Sequence, residues 1–401
     1  MSIPPDNQIT NTSDVNVPVD DQTFTSAYGE SLMTTLDIAT WQTGGDLEGL
    51  YQRLEAEVEA AVQTEDTLRA SIRRDVFPRL RNRPGAPKGA GCYSVSEDKL
   101  RHVHRALLFN GAVEACDGTS VEHDTLPVTI TQLGVCLVSY QGDQGSWAQR
   151  LYRRDLRASS GNALQDVLTL LDNRSQRGST DADEQGRLSN LARRGIMTYA
   201  ERAILAHKAT APWRIGHGNP TPYELLTGSG SMELLKSSMQ VIRHLVLQHR
   251  KFVFVPSAPS DRRLLTLGHA LYPLEYAIVQ TAEQSMLSVV EKGHYSREWR
   301  RKAEEFCKAV GPQVVLGVYR ASAASPPYLF YSHIDHIHEA ALIVMADSVL
   351  QEHRGFPMLI DLADRICHTT FGNDIFNSAV QMAYAGAGAP FRFLNERQTR
   401  T

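Results

Sequence analysis

Two neighbouring stretches decide the fold: ALLFNGAVEACDGTS (Ala106–Ser120) and PVTITQLGVCLVSYQG (Pro127–Gly142). The first rises into apolar residues and is expected to end as a strand at Asp117-Gly118. The second is rich in β-branched residues with partial alternation, which reads as one long or two short strands. Downstream, WRIGH (Trp213–His217), KFVFV (Lys251–Val255), VVLGVY (Val314–Tyr319) and YLFY (Tyr328–Tyr331) have the apolar runs of further strands. Helical periodicity lies between and after them: Leu188–His207, Met232–His249, segments up to about Val310, Ile334–His353, Pro357–Thr370 and Ile375–Ala385. An early strand meander followed by strands alternating with helices predicts a mixed α/β sheet with helices on both faces. The intervals lack eightfold regularity, which argues against a TIM barrel.

Outward from this core, the first 25 residues are polar and expected to be unstructured. Residues 26–100 form a helical region. Leu50, Leu54, Val58 and Val62 recur every fourth residue in a helix predicted from Leu47 to about Leu80, with Glu55, Glu57 and Glu59 outside. A basic run from Arg69 to Lys88 then ends in the loop NRPGAPKGAG. It reads as a solvated helix end or a phosphate-contacting arm. Residues 101–401 are left for the main domain, within which Arg174–Gly186 is a polar, loop-like insertion.

The 401 residues are 42% hydrophobic and 21% charged, an ordinary globular composition that excludes collagen-like, mucin-like and wholly disordered chains. The longest clean apolar run, Ala340–Ala346, is far short of the roughly 20 residues of a membrane helix. The N-terminus lacks the basic start and apolar stretch of a secretory signal. Five widely spaced cysteines without a CxxC pair fit neither a disulfide framework nor a structural zinc site, so a reducing cytoplasm is expected. Residues 1–60 hold 11 acidic side chains and one basic, net −10; the remainder holds 40 basic and 34 acidic, net +6. That balance argues against a passive DNA-coating protein and permits an enzyme with a local basic groove.

Several chemistries are excluded by missing motifs. There is no GxxxxGK[ST] loop, no GxGxxG after a strand and no GxSxG elbow. His338-Glu339 begins like a zincin motif, but residues 340–342 are Ala-Ala-Leu. Gly228-Ser229-Gly230 before a helix reads as a helix cap rather than a phosphate loop.

What remains is a set of dispersed polar residues. Asp117 at a strand terminus could hold a metal, with Gly118 allowing close approach; a plain Asp-Gly turn explains the pair equally. Glu201 lies on the helix after the meander, where most glutamates are merely solvated. Glu224 opens a helical turn and could be only a dipole partner. His217, between two glycines at a strand end, could bind metal or phosphate or close a turn. In the helix from Pro357, 100° per residue places Asp361, Asp364, Arg365 and His368 on one face and Leu359, Leu362, Ala363 and Ile366 on the other. An Asp361–Arg365 ion pair alone could account for that face. The cluster SHIDHIHE (Ser332–Glu339) could ligate a metal or begin a helix. Carboxylates from separate segments are what two-metal phosphodiester cleavage needs, and hard oxygen ligands suit Mg²⁺ or Mn²⁺. An Asp on a first strand, a Glu on a helix and an Asp on a C-terminal helix is the layout of RNase H-like nucleases.

These motifs resemble the NurA nucleases, which work beside the HerA hexameric translocase. The resemblance runs diffusely over residues 105–400. ACDGTS resembles the family's first-strand Asp-Gly motif, and RRGIMTYAERAIL (Arg193–Leu205) its helix with a spaced Arg and Glu. VVLGVYRAS resembles a late strand, here ending Tyr319-Arg320. GFPMLIDLADRIC (Gly355–Cys367) resembles the C-terminal helix, with Asp364 where a His is expected; the terminal ERQTR also fits. The chain departs a second time where the middle strand ends His217-Gly218 instead of Asp-Gly.

The resemblance implies an RNase H-like mixed sheet flanked by helices, with N-terminal and inserted helical segments. It implies a Mn²⁺- or Mg²⁺-dependent DNA nuclease in which Asp117, Glu201 and Asp364 bind metal, assisted by Glu224 or Asp361. His217 and Arg365 would contact the scissile phosphate. It further implies a homodimer docked on a HerA-like hexameric ATPase and a role in DNA end processing or defence. The alternatives are a catalytically impaired DNA-binding or adaptor subunit and a hydrolase of a small phosphorylated substrate.

Overall fold

The structure, a computed structural model, describes residues 20–41, 47–125, 128–153, 164, 168, 191–258, 261–293 and 295–392. The Arg174–Gly186 insertion and the terminal ERQTR lie outside these residues. The chain divides into two compact units, Met1–Thr67 and Leu68–Thr401.

In the first unit, Asp20 caps a helix over Asp21–Tyr28 by accepting from the Thr23 amide at 2.7 Å. Part of the 1–25 segment is therefore helical, and residues 1–19 lie outside the described residues. The helix predicted from Leu47 ends at Asp75 rather than Leu80. Pro78 accounts for the earlier stop, because the residue before a proline avoids the helical region; a separate short helix, Arg79–Asn82, follows. Leu50, Leu54, Val58 and Val62 are all exposed.

Among the described residues, the second unit is built on one nine-stranded sheet. Its strands are β1 (Gly91–Ser94), β2 (Val113–Asp124), β3 (Thr129–Ser139), β4 (Gly142–Arg153), β5 (Trp213–His217), β6 (Phe252–Val255), β7 (Glu275–Thr281), β8 (Val314–Arg320) and β9 (Tyr328–His333). β2, β3 and β4 form an antiparallel meander, and β5 and β6 then run parallel to β2. The resulting order β4-β3-β2-β5-β6 is a mixed sheet, as expected from the sequence. β9, β8, β7 and β1 continue the sheet beyond β6, each antiparallel to its neighbour.

Alternation along the strands feeds a core on each face. Ile215, Val253 and Val255 join a cluster closed by the helices Glu97–Val103, Ile337–Ser348 and Met358–Phe371. Phe252 and Phe254 join the opposite cluster, closed by Ile196–His207, Met232–Arg243, Glu283–Lys292 and Arg297–Val310. No helix among the described residues is long and apolar enough to cross a membrane.

One strand expectation is corrected. Asp117 does not end its strand: β2 continues to Asp124, with Thr119, Val121 and His123 buried in alternation. Asp117-Gly118 is therefore not a turn. Upstream, Ala106–Leu108 belong to a helical turn, and the strand starts only at Val113.

Two layers of this fold are joined through Asp347, which is fully buried in the Ile337–Ser348 helix. Its Oδ1 accepts from the Tyr140 hydroxyl at 2.5 Å, and its Oδ2 from the Leu359 amide at 2.9 Å, at the start of the next helix. Burial pushes this carboxyl up to about 7, against the two hydrogen bonds. Removing it strands two buried donors, so Asp347→Ala is expected to cost about 2–4 kcal/mol in urea unfolding. The pH sign follows from linkage. A carboxyl that binds its proton more tightly in the folded state contributes stability below its unfolded value, and that stability is lost as pH rises towards 7. Asp347→Asn should flatten this slope, and the wild-type-minus-variant difference isolates the group.

Candidate active site

The site lies where β5 parts from β2. Their parallel pairing runs from Val113↔Trp213 to Cys116↔Gly216 and stops. Gly218 then turns the chain with φ +83°, its amide donating to Val255 O at 3.0 Å. A side chain would strain this backbone, which explains a glycine here. β2 continues past the parting, leaving a notch at the carboxyl ends of β5 and β6, the position where open α/β sheets bind ligands.

Asp117 and His217 are the residues immediately beyond the last pair. His217 Nδ1 lies 3.3 Å from Asp117 Oδ1, and His217 Nε2 lies 3.0 Å from the hydroxyl of Ser257, just after β6. Asp117 Oδ1 also accepts from the Gly118 amide at 2.9 Å. Asp117 is buried, whereas the His217 side chain is 34% exposed. Burial opposes a charge on His217, but the hydrogen bond to Asp117 and the charges of Asp117 and Glu201 outweigh it, and its pKa is raised.

Glu201 approaches from the Ile196–His207 helix. It is buried, and a Cβ on Gly118 would stand 2.7 Å from its Oε1, so the glycine makes the approach possible. Arg202 Nη1 donates to Glu201 Oε2, while Arg202 Nη2 donates to the carbonyls of His217 at 3.0 Å and Asn219 at 2.7 Å. One buried guanidinium thus ties the Glu201 helix to the exit of β5. Burial pushes the Glu201 carboxyl up to about 7; Asp117 adds to the rise, and Arg202 and His217 oppose it.

Asp364 belongs to the Met358–Phe371 helix on the opposite face. Cys136, directly across from Asp117 in the β2–β3 register, neighbours Cys367, one helical turn beyond Asp364. Desolvation and then the charge of Asp117 raise the Asp364 carboxyl, with His368 and His217 opposing. The charges of Asp117 and His217 thus reach Glu201 on one side and Asp364 on the other.

Carboxylate oxygens and an imidazole are suitable donors for a hard divalent cation, whose charge would relieve the crowding of three acids. Among the described residues, however, no three His, Cys, Asp or Glu side chains are drawn into a metal-holding cluster. Asp117 and Glu201 are engaged with His217 and Arg202 instead.

No family model matches this sequence, and no curated protein matches it. Solved structures do resemble it. The crystal structure of the NurA nuclease from Sulfolobus solfataricus is similar at 7% identity over 84% of this chain and 98% of that one, with a TM-score of 0.45. A crystal structure of NurA with manganese is similar at 10% identity over 70% and 96%, TM-score 0.39. Endonuclease V from Ciona intestinalis, in complex with a DNA containing an inosine, is similar at 10% identity over 68% and 94%, TM-score 0.25.

The remaining candidates fall elsewhere. Glu224 is half-buried in the first turn of Tyr223–Thr227 and takes no part in the hydrogen bonds joining Asp117, His217 and Ser257. Asp361 is buried, its Oδ1 held by Arg354 at 2.6 Å and its Oδ2 by Arg365 at 3.1 Å. The i,i+4 pair expected from sequence is therefore formed. The His-rich SHIDHIHE run disperses: His333 pairs with Asp335, His336 with Glu339, and His338 with the Tyr276 hydroxyl. Gly228–Gly230 forms a short 3-10 turn next to Ser231, which caps the following helix, as expected of a cap.

Sequence reading missed Arg202, Ser257 and Arg354. Arg202 had a signal, since Glu201, Arg202, Leu205 and Ala206 form the buried stripe of their helix, and a cation in such a stripe needs internal partners. Ser257 and Arg354 lie in connecting segments without a local pattern.

Proposed function

We propose that this chain is a divalent-metal-dependent DNA nuclease of NurA type. The observation that carries the reading is the Asp117–His217 pair at the parting of β2 and β5, with Glu201 brought against Gly118 from one face of the sheet and Asp364, on the other, feeling the charge of Asp117. Both departures from the resembled motifs, His217 and Asp364, bear on Asp117, the first by a hydrogen bond and the second through its charge. Asp117, Glu201 and Asp364 would hold Mn²⁺ or Mg²⁺. Such an ion activates water and offsets charge developing on the phosphate. His217, fixed by Asp117 and Ser257, orients the scissile phosphate from the open side, and Arg202 keeps Glu201 in place. Action at DNA ends, homodimer formation and docking on a HerA-like ATPase belong to the same proposal, motivated by the motif resemblance.

The test is incubation of linear DNA with the protein in Mn²⁺, Mg²⁺ or chelator, with Asp117→Ala in parallel and Mn²⁺ binding followed by calorimetry. Cleavage that needs the metal and falls about 10²–10³-fold in the variant is expected, comparable to removing a principal transition-state interaction. Undiminished cleavage by Asp117→Ala would refute the assignment. Metal binding without hydrolysis of DNA would indicate an adaptor subunit, and turnover of only small phosphodiesters a different substrate.

A further inference from the structure

We infer that Arg354 and Arg365, held on the two oxygens of Asp361, form a paired guanidinium seat for a backbone phosphate of the nucleic acid strand entering the pocket. This inference rests on the nuclease reading and assigns Asp361 to positioning these arginines. Asp361 is 8% exposed, yet its two partners have side chains 53% and 71% exposed. A buried carboxylate thus anchors two guanidiniums that reach into solvent. Arg354 uses Nη1 for Asp361 and Gln351. Arg365 uses Nε for Asp361. Among the described residues, Arg354 Nη2 and the two terminal nitrogens of Arg365 carry none of the observed hydrogen bonds. Asp361 offsets one of the two charges, so the trio remains net positive.

Its place ties it to the pocket. Asp364 is three residues beyond Asp361 on the same helix and feels its charge. Phe356, two residues after Arg354, stands edge-on to the His217 ring with centroids 6.1 Å apart. Planar forks with spare donors match the geometry of a phosphate diester, and sharing one anchor limits the freedom lost on binding.

The test is fluorescence anisotropy of a labelled single-stranded oligonucleotide in chelator across a salt series, where binding is read without cleavage. Arg354→Gln, Arg365→Gln and the double variant should each weaken binding several-fold. The salt slope should fall by about 0.7 for each phosphate no longer neutralised. Asp361→Asn should weaken binding less than the double variant, while Arg354→Lys retains the charge and recovers the slope. Glutamine preserves side-chain bulk, and circular dichroism checks each fold. Slopes identical to wild type in both single variants and the double would overturn the inference. The outcome is separable from the nuclease reading: reduced slopes without hydrolysis would keep the seat and reject the enzyme, whereas normal slopes with Mn²⁺-dependent hydrolysis would do the reverse.

Discussion

Arg202→Ala is expected to destabilise the fold by about 3–5 kcal/mol, the scale of removing one partner from a buried ion pair. Arg202 is 3% exposed. It pairs with Glu201, satisfies the carbonyls of His217 and Asn219, and lies with its guanidinium carbon 5.2 Å from the centre of the Phe254 ring. Alanine would leave a buried carboxyl whose protonation burial already favours, together with two carbonyls at the exit of β5 lacking their donor. Urea unfolding followed by circular dichroism measures the loss. Arg202→Met combined with Glu201→Gln removes both charges while keeping bulk. It should cost less than the sum of the single changes, because neither variant then strands a charge. Additive costs would show that the pair is not coupled.

Gly118→Ala is expected to abolish most of the proposed hydrolysis, at a stability cost of about 1–3 kcal/mol from overpacking. The residue is in extended backbone within β2, which alanine adopts freely. The new methyl would meet Glu201 Oε1 at 2.7 Å, Met197 Cγ at 3.1 Å and Glu201 Cγ at 3.2 Å. The carboxyl must therefore retreat, and Arg202 limits where it can go. A displacement of about 1 Å in a reacting group costs on the order of 100-fold in rate. Steady-state cleavage of linear DNA measures this loss, and thermal melting shows whether the fold is kept. Adding Glu201→Asp, one methylene shorter, should return part of the rate. Full activity in Gly118→Ala would mean that Glu201 is not held where the reaction occurs.

The legible parts of this fold were those whose burial gives a clean pattern. Phe252–Val255 and Val314–Tyr319 are covered on both faces and read as continuous apolar runs. β4 was not legible: GDQGSWAQRLYR is largely exposed as an edge strand, so neither alternation nor an apolar run marks it. β7 is apolar but short and lies between helices, where a buried strand and a buried helical segment look alike. In the site, Asp117 and Glu201 were found as residues while the geometry that joins them was not. Asp117-Gly118 has the composition of a turn. Only the arrival of Glu201, from about 80 residues downstream, shows that the glycine serves close packing rather than chain reversal. Asp361 had the opposite difficulty, because an acid on a polar helix face offers the same spacing whether its oxygens meet a cation in solution or two arginines.

In a five-stranded arrangement, β6 would form a bare margin beside the pocket. Here β9 pairs with it, and the sheet runs on through β8 and β7 to β1. Unsatisfied ladder groups are thereby displaced to the far rims. The longer rim is β4, twelve residues from Gly142 to Arg153 with a register shift opposite Leu137 and Val138. Rims of this length invite self-association by strand addition, and the irregularity, together with Asp143, Arg150 and Arg153, opposes it. The extra strands thus keep adhesive backbone away from the notch at the carboxyl ends of β5 and β6.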